Sequence, residues 1–465
     1  MDKEKVYFIG IGGAGMSSLA RYFLAQKWAV FGSDIVESPI TSSLKKEGVK
    51  VKIGQKRENI TKDISMVIHS QAVRPDNPEF KEAMALGIKT ISYPKAVGEI
   101  TKEYKTITIS GAHGKSTTTA LVSLILKKAK MDPTVIIGAN LKEFNWKNFI
   151  LGKSDYLVLE ADEFGRAFLN YSPSIAIITN IDKEHLDTYK NLPDIKNTFL
   201  QFLSNVKSNG IVIINKDNEN CFLLKERINR IAQKNNFKVI WYSLEEKESV
   251  SKIRNNLSIS GDHNVSNALA AYHLAKYFNI SDKNIFSALS SYNGAQRRME
   301  FRGKFELKDK NTPKKIEFSV YDDYAHHPTE IKTTLKAFKE KFPKNELVCV
   351  FQPHQANRFL MLYREFQESF LYADVSIIAP IYKVAGRDEL LRINSQTLVN
   401  EINKHHKEKQ TYYLDDLKNI KKILKQIFFD SGKKIENKKM ILVMMGAGDI
   451  VNYTKDLLKK DRGVN

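Results

Sequence analysis

At 465 residues, 42% of them hydrophobic, the chain exceeds one ordinary core and is expected to form about three folded domains. Its 73 Lys and Arg against 53 Asp and Glu give a formal charge of +20, yet the basic residues are scattered. No Arg-aromatic block or Cys/His finger stands out, which favours anionic metabolites over nucleic acid as partners. Only Cys221 and Cys349 exist, far apart and without metal-ligand spacing, which argues against a disulfide framework and a thiolate metal site, and no apolar run reaches the roughly 18 residues of a membrane span.

In chain order, Lys3 and Lys5 precede an apolar run, but Asp2, Glu4 and the glycines from Gly10 to Gly15 interrupt any secretion signal, so a reducing cytoplasm is the expected location. The run Val6 to Ile9 reads as a strand entering Gly10-Ile11-Gly12-Gly13-Ala14-Gly15, then a helix to about Lys27, a strand from Ala29 to Phe31, and Asp34. This βαβ start with G-x-G-x-x-G matches a dinucleotide fingerprint, and its physical content is a loop and helix start able to hold a diphosphate. A nicotinamide dinucleotide and a UDP-linked substrate share that chemistry. Strand-like runs follow at Met66 to His69 and Thr90 to Ser92, with a loop at Arg74-Pro75-Asp76-Asn77-Pro78, and the first domain is expected to end near Tyr104.

The second α/β unit opens with strand Thr106 to Ser110 and the loop Gly111-Ala112-His113-Gly114-Lys115-Ser116-Thr117. Small residues let backbone N–H groups face anionic oxygens, the helix start adds its positive end, Lys115 adds a cation, and the Ser116 hydroxyl can ligate Mg²⁺. ATP or GTP is the expected ligand. Further runs at Thr134 to Ile137, Tyr156 to Glu160, Ile175 to Asn180 and Ile211 to Asn215 indicate a mostly parallel sheet, and Leu257 to Gly261 reads as a later strand.

In Glu160-Ala161-Asp162-Glu163, Glu160 completes its strand and is the candidate Mg²⁺ carboxylate, whereas Asp162 and Glu163 could cap the next helix. His185, after another strand, is either a metal ligand or a structural histidine. Asn264 and Asn267, beside His263, could cap a helix or read a base edge. Arg297 and Arg298 sit in an expected hinge, Gly294 to Arg298, where they could clamp phosphates or coat the surface.

The last third restarts the alternation: strand Ser319 to Asp323, a helix from about Thr329, strands Leu347 to Phe351 and Val375 to Ala379, and Met440 to Met445 leading into Gly446-Ala447-Gly448-Asp449. A third doubly wound domain is expected, with the lysine-rich stretch from Glu401 to Lys439 as solvated helix faces. Asp322-Asp323-Tyr324-Ala325-His326-His327-Pro328 and Phe351-Gln352-Pro353-His354 end strands in polar clusters; capping by Asp323 or Thr329 is the plain alternative.

Taken together, these segments resemble the Mur ligases of peptidoglycan synthesis in motif order, from Gly10 to Asp449. Arg298-Met299-Glu300 and Asp322 to Glu330 add to the match. The resemblance implies an α/β fold of three domains: a Rossmann-like domain for a UDP sugar (1–104), a central P-loop ATPase (105–298), and a Rossmann-like domain that closes over both and helps bind an amino acid (299–465). It implies ATP-dependent transfer of a γ-phosphoryl group to the lactyl carboxylate of UDP-N-acetylmuramate, then attack by L-alanine on the acyl phosphate. A peptide acceptor, as in murein recycling, is the alternative within the family.

By the same resemblance Lys115 contacts the β- and γ-phosphates, Ser116 and Glu160 hold one Mg²⁺, and Glu160 with His185 a second. Asn264 and Asn267 look like adenine-side residues, and Arg298 like an arginine reaching ATP. Tyr324, His326 and Arg358 face the muramoyl and amino-acid end; Gly12, Gly13, Ala14, Gly15, Met16 and Ser17, with Asp34, meet UDP. The chain departs from the family pattern at Gln355, where arginine is usual, at Ala356-Asn357, at Glu163-Phe164-Gly165-Arg166 and at Ala112. Outside the family, the first glycine loop and Asp34 leave an NAD-dependent oxidoreductase open, and Gln355 with the basic charge a non-catalytic nucleotide-binding regulator.

Overall fold

Three sheets organise the chain in a computed structural model that describes residues 3–185, 188–309, 314–382, 394–430 and 439–459. The first contains β1 (Lys5–Ile9), β2 (Ala29–Asp34), β3 (Lys50–Ile53), β4 (Met66–His69) and β5 (Lys89–Ser92), in the order β3-β2-β1-β4-β5. The second contains β6 (Lys105–Ser110), β7 (Thr134–Leu141), β8 (Lys147–Ile150), β9 (Tyr156–Glu160), β10 (Ile175–Ile178), β11 (Ile211–Asn215) and β12 (Lys238–Tyr242), in the order β12-β11-β10-β6-β9-β7-β8. The third contains β13 (Glu300–Lys308), β14 (Lys315–Asp323), β15 (Glu346–Phe351), β16 (Val375–Ile378), β17 (Gln410–Tyr413) and β18 (Lys439–Met445), in the order β13-β14-β18-β15-β16-β17. Among the described residues β7 pairs β8 and β13 pairs β14 antiparallel; the other neighbours run parallel.

Parallel strands crossed by helices on both sides are covered on both faces, so their sequences are apolar at consecutive positions. In the third sheet this is explicit. Met440, Leu442 and Met444 of β18 enter one core with Val348 and Val350, while Ile441, Val443 and Met445 enter the opposite one with Leu347, Cys349 and Phe351. Both cysteines are buried core residues. In the first sheet Tyr7, Ile9 and Val67 pack with Ile60, Ile64 and Ala83. Buried Glu79 ties this domain together: its carboxylate accepts the Tyr7 hydroxyl at 2.8 Å, the Ser33 hydroxyl at 2.5 Å and the Asn59 amide at 2.6 Å.

The chain divides into two compact units, Met1–Lys183 with Thr188–Ser258 and Asn264–Ala295, and Glu184–Asp187 with Ile259–His263 and Gln296–Asn465. The first carries two sheets and the second carries one. Their boundary at Ala295 falls inside the expected hinge. The expected strand from Leu257 to Gly261 does not form. The helix Lys247–Asn256 ends there, Ser258 turns its hydroxyl onto the Tyr292 carbonyl, and the helix Asp262–Tyr277 follows directly, leaving the segment no strand partner. No helix among the described residues is long and apolar enough to cross a membrane.

Candidate active site

β6 lies between β10 and β9, so the loop leaving it opens at the carboxyl edge of the sheet, where open α/β sheets bind ligands. That loop delivers the helix Lys115–Lys128, whose N-cap Gly114 is left-handed (φ +84°) and provides no side-chain cap. The first-turn amides therefore have neither intrahelical nor capping partners and suit an anion. Glycine is required here: a Cβ on Gly114 would collide with the Asn267 amide group, and one on Gly111 (φ +137°) with Thr179 and the Asn180 backbone.

The loop itself is held from β10 and its continuation. The Asn180 side-chain oxygen accepts the His113 N–H at 2.9 Å, and its main-chain oxygen accepts the Ala112 N–H at 3.3 Å. Thr179 and Asn180 both donate to the His113 carbonyl, at 2.7 and 2.8 Å. The Ala112 and His113 amides thus fasten the loop to Asn180. The amides that suit an anion are those of the helix start.

Lys115 and Glu163 form a buried ion pair, with Nζ 2.9 and 3.0 Å from the two carboxylate oxygens and a further bond of 2.7 Å to the Gly111 carbonyl. Burial disfavours the Lys115 charge, but Glu163 and Asp162 outweigh it and raise the amine's pKa above its ordinary value. The sequence offers Glu163 only as a helix cap, and its pairing with Lys115 comes from the fold, which brings residues 48 positions apart together. The neighbouring Asp162 carboxylate accepts the Phe164 N–H at 3.2 Å, and the helical turn Phe164–Asn170 has no side-chain cap at Glu163.

Ser116 and Glu160 come together as expected. The Ser116 hydroxyl donates to Glu160 Oε1 at 2.9 Å, and the Gly138 N–H donates to Oε2 at 2.7 Å. Burial pushes the Glu160 carboxyl up. A desolvated carboxylate beside a hydroxyl is a hard oxygen donor set, and it fits Mg²⁺. His185 falls in the second unit, in a left-handed backbone conformation (φ +54°), with Nδ1 3.9 Å from Glu184.

At the end of β1 the helix Ala14–Ala25 also starts without a side-chain cap or an acidic residue in its first turn. Asp34, at the end of the adjacent β2, accepts the Gly12 N–H at 2.8 Å through one oxygen and the Ile35 N–H at 2.8 Å through the other. Asp34 thus shapes the glycine loop. Ser17 bonds the Ala14 carbonyl at 2.9 Å and receives the Asn148 amide at 3.2 Å, while Asn148 also donates to Ala14 at 2.8 Å. Met16 is buried beneath the loop. Asn264 and Asn267 lie within the helix Asp262–Tyr277, both buried, with Asn267 against Gly114.

In the second unit the strand-end clusters converge. Arg297 and Arg298 stack on the Tyr324 ring, with guanidinium carbons 4.9 and 5.5 Å from its centroid, and Arg298 bonds Glu330 at 3.3 Å. His326 places Nδ1 2.9 Å from the Tyr324 carbonyl and 3.4 Å from Glu330; burial lowers its pKa to about 4, so it is neutral at pH 7. Arg358 bonds buried Glu184 at 2.5 Å, and His327 lies 3.9 Å from the same carboxylate. Burial alone would raise the Glu184 carboxyl, but Arg358 and the neighbouring histidines hold it far below the carboxylate range. The helix Pro328–Lys341 is capped by His327, not by Asp323 or Thr329. Asp323 instead accepts the Met299 and Ala325 amides, each at 2.8 Å.

Three family profiles match in chain order: "Mur ligase family, catalytic domain" over residues 5–105, "Mur ligase middle domain" over 109–275, and "Mur ligase, glutamate ligase domain" over 297–448. The UDP-N-acetylmuramate--L-alanine ligases of Sulfurihydrogenibium sp. and Clostridium botulinum are each 36% identical to it, over 98% and 97% of this chain and 97% and 96% of theirs. Among solved structures, the UDP-N-acetylmuramate-alanine ligase MurC of Thermotoga maritima aligns with a TM-score of 0.74 at 25% identity, over 98% of each chain. A murein peptide ligase of Psychrobacter arcticus aligns with a TM-score of 0.67 at 23% identity, over 98% of each chain. With one profile matching on each of its three sheets, the chain belongs to the Mur ligase family.

Proposed function

We propose that this protein is an ATP-dependent ligase that joins L-alanine to the lactyl carboxylate of UDP-N-acetylmuramate through an acyl phosphate. The observation that carries the reading is the grouping of Lys115, Ser116 and Glu160 at an uncapped helix start, on a chain whose near-full-length relatives are named for that reaction. Residues 1–104 are assigned to the UDP sugar, 105–298 to ATP and 299–465 to the amino acid.

A lactyl carboxylate oxygen attacks the γ-phosphorus of ATP and ADP leaves. The alanine amine then attacks the acyl carbonyl, loses a proton, and the tetrahedral adduct expels inorganic phosphate to leave an amide. Little of this needs covalent help from the protein, so its residues act mainly by positioning reactants and offsetting negative charge. Lys115 and the helix-start amides meet the β- and γ-phosphates. A Mg²⁺ ion held by Ser116 and Glu160 would supply further charge neutralisation on those phosphates. His185 is assigned as a further metal ligand, Asn264 and Asn267 to the adenine, and Arg298 to the ATP phosphates. Tyr324, His326 and Arg358 are assigned to the muramoyl and amino-acid end, where His326, kept neutral, serves as a hydrogen-bonding group. Gly12 to Ser17 meet the UDP diphosphate, with Asp34 fixing their loop.

Purified protein should release ADP only when UDP-N-acetylmuramate and L-alanine are both supplied. No turnover across a panel of amino acids, or turnover with a murein tripeptide in preference to alanine, would overturn the assignment.

A further inference from the structure

The loop cation that the proposed reaction directs at phosphate already has an anion. Lys115 has three N–H donors, and all are engaged inside the protein: Gly111 O at 2.7 Å, Ala112 O at 3.3 Å, and the Glu163 carboxylate at 2.9 and 3.0 Å. Glu163 is well placed to act as a fixed anchor. Its side chain is 2% exposed, and its own carbonyl accepts the Tyr189 hydroxyl at 2.5 Å. Beyond Phe164 the backbone takes two left-handed residues, Gly165 and Arg166, and Arg166 is tied to Asp194 through two bonds of 2.8 and 2.9 Å. Glu160, three residues earlier, is committed elsewhere, to Ser116 and Gly138. Glu160 and Glu163 thus serve different partners, while Asp162 between them lies 3.9 Å from the Lys115 ammonium.

We propose that Glu163 is a positioning residue for Lys115: a resident carboxylate that holds the ammonium across the loop and that the terminal phosphates of the nucleotide must displace. This rests on the reading of Lys115 as a phosphate contact. A carboxylate and a phosphate compete for the same donors, so the Glu163 pair lowers nucleotide affinity by the fraction of molecules in which Lys115 is engaged. In return it keeps the ammonium close to its working position and recovers it as the phosphates depart, which favours release. Removing the carboxylate therefore tightens nucleotide binding and slows turnover.

The test is a double-mutant cycle on the full chain, read by calorimetric titration with Mg²⁺ and β,γ-methylene-ATP and by steady-state kinetics. E163Q is expected to lower the Kd about ten-fold, the effect of a donor engaged in about nine molecules of ten, and to lower kcat and the KM for ATP together. K115A is expected to raise the Kd, and K115A/E163Q to match K115A. If E163Q does not fold, E163D, which keeps the charge but draws it back by one methylene, must tighten binding in the same direction. Unchanged or weaker binding in these variants, or tightening that persists without Lys115, overturns the inference. A K115A protein that binds as tightly as wild type would instead sink the phosphate-contact reading itself.

Discussion

Glu160 and Glu163 stand three residues apart at one strand end, and their surroundings assign them opposite work: Glu160 has a hydroxyl and an amide as partners, Glu163 a full positive charge. Lys115→Ala should therefore reduce ligation by at least about 10²-fold, the scale of losing one charge-stabilising donor, and leave UDP-N-acetylmuramate binding intact; parallel loss of both affinities in titrations would contradict the separation of the two loops. Gly114→Ala places a side chain in a left-handed position, about 1–2 kcal/mol by itself, and drives it into Asn267, so both melting temperature and nucleotide affinity should fall. His326 supplies a pH signature. Its pKa in the fold is about 4, below the roughly 6.5 of a free imidazole, so the unfolded chain binds more protons between those values. The stability from burying the neutral ring is present above pH ~6.5 and is lost as pH falls through ~4. Calorimetric melts of His326→Asn should show a shallower decline over that window than wild type, and an identical pH profile would refute the neutral assignment.

At the scale of elements, loops are shaped by the strand next door. Asp34 at the end of β2 fixes the Gly12 amide, and Thr179 and Asn180 after β10 fix the loop of β6. Asp34→Ala should weaken UDP-N-acetylmuramate about ten-fold while the affinity for an ATP analogue stays unchanged, since the amide it releases belongs to the first loop alone; loss of both would mean that the first domain has collapsed. The same geometry explains what could be read in advance. Central strands such as β9 and β11 are apolar at consecutive positions and were legible to the residue, as were both glycine loops and the Ser116–Glu160 meeting. Strands β3, β8, β12, β13 and β17 were not read from the sequence, and every one is a sheet edge. Lys50-Val51-Lys52-Ile53 and Glu300 to Lys308 have the mixed composition of strands with a solvated face, and a run of that kind also fits a loop. Leu257 to Gly261 erred the other way, its apolar residues serving a connection. Pairings such as Lys115 with Glu163 or Arg358 with Glu184 were invisible because no local pattern joins positions 48 or 174 residues apart.

Over the whole molecule, one unit carries both glycine-loop helix starts and the other carries the arginine, histidine and tyrosine cluster around Glu184 and Glu330. This division suits a reaction in which a phosphate donor and a sugar acid are bound by glycine loops and an amino acid is presented by a separate set of polar groups. The formal charge of +20 suits it too, since the UDP sugar and ATP are both polyanions and a basic surface raises their encounter rate. The central claim is that the carboxylate is activated by phosphoryl transfer at the Lys115 helix start before alanine attacks. It is tested most directly by supplying UDP-N-acetylmuramate with ¹⁸O in both lactyl carboxylate oxygens, together with ATP and L-alanine, and weighing the released phosphate. An acyl phosphate requires one ¹⁸O in each phosphate and the other in the new amide; unlabelled phosphate, with amide formed, would contradict the account.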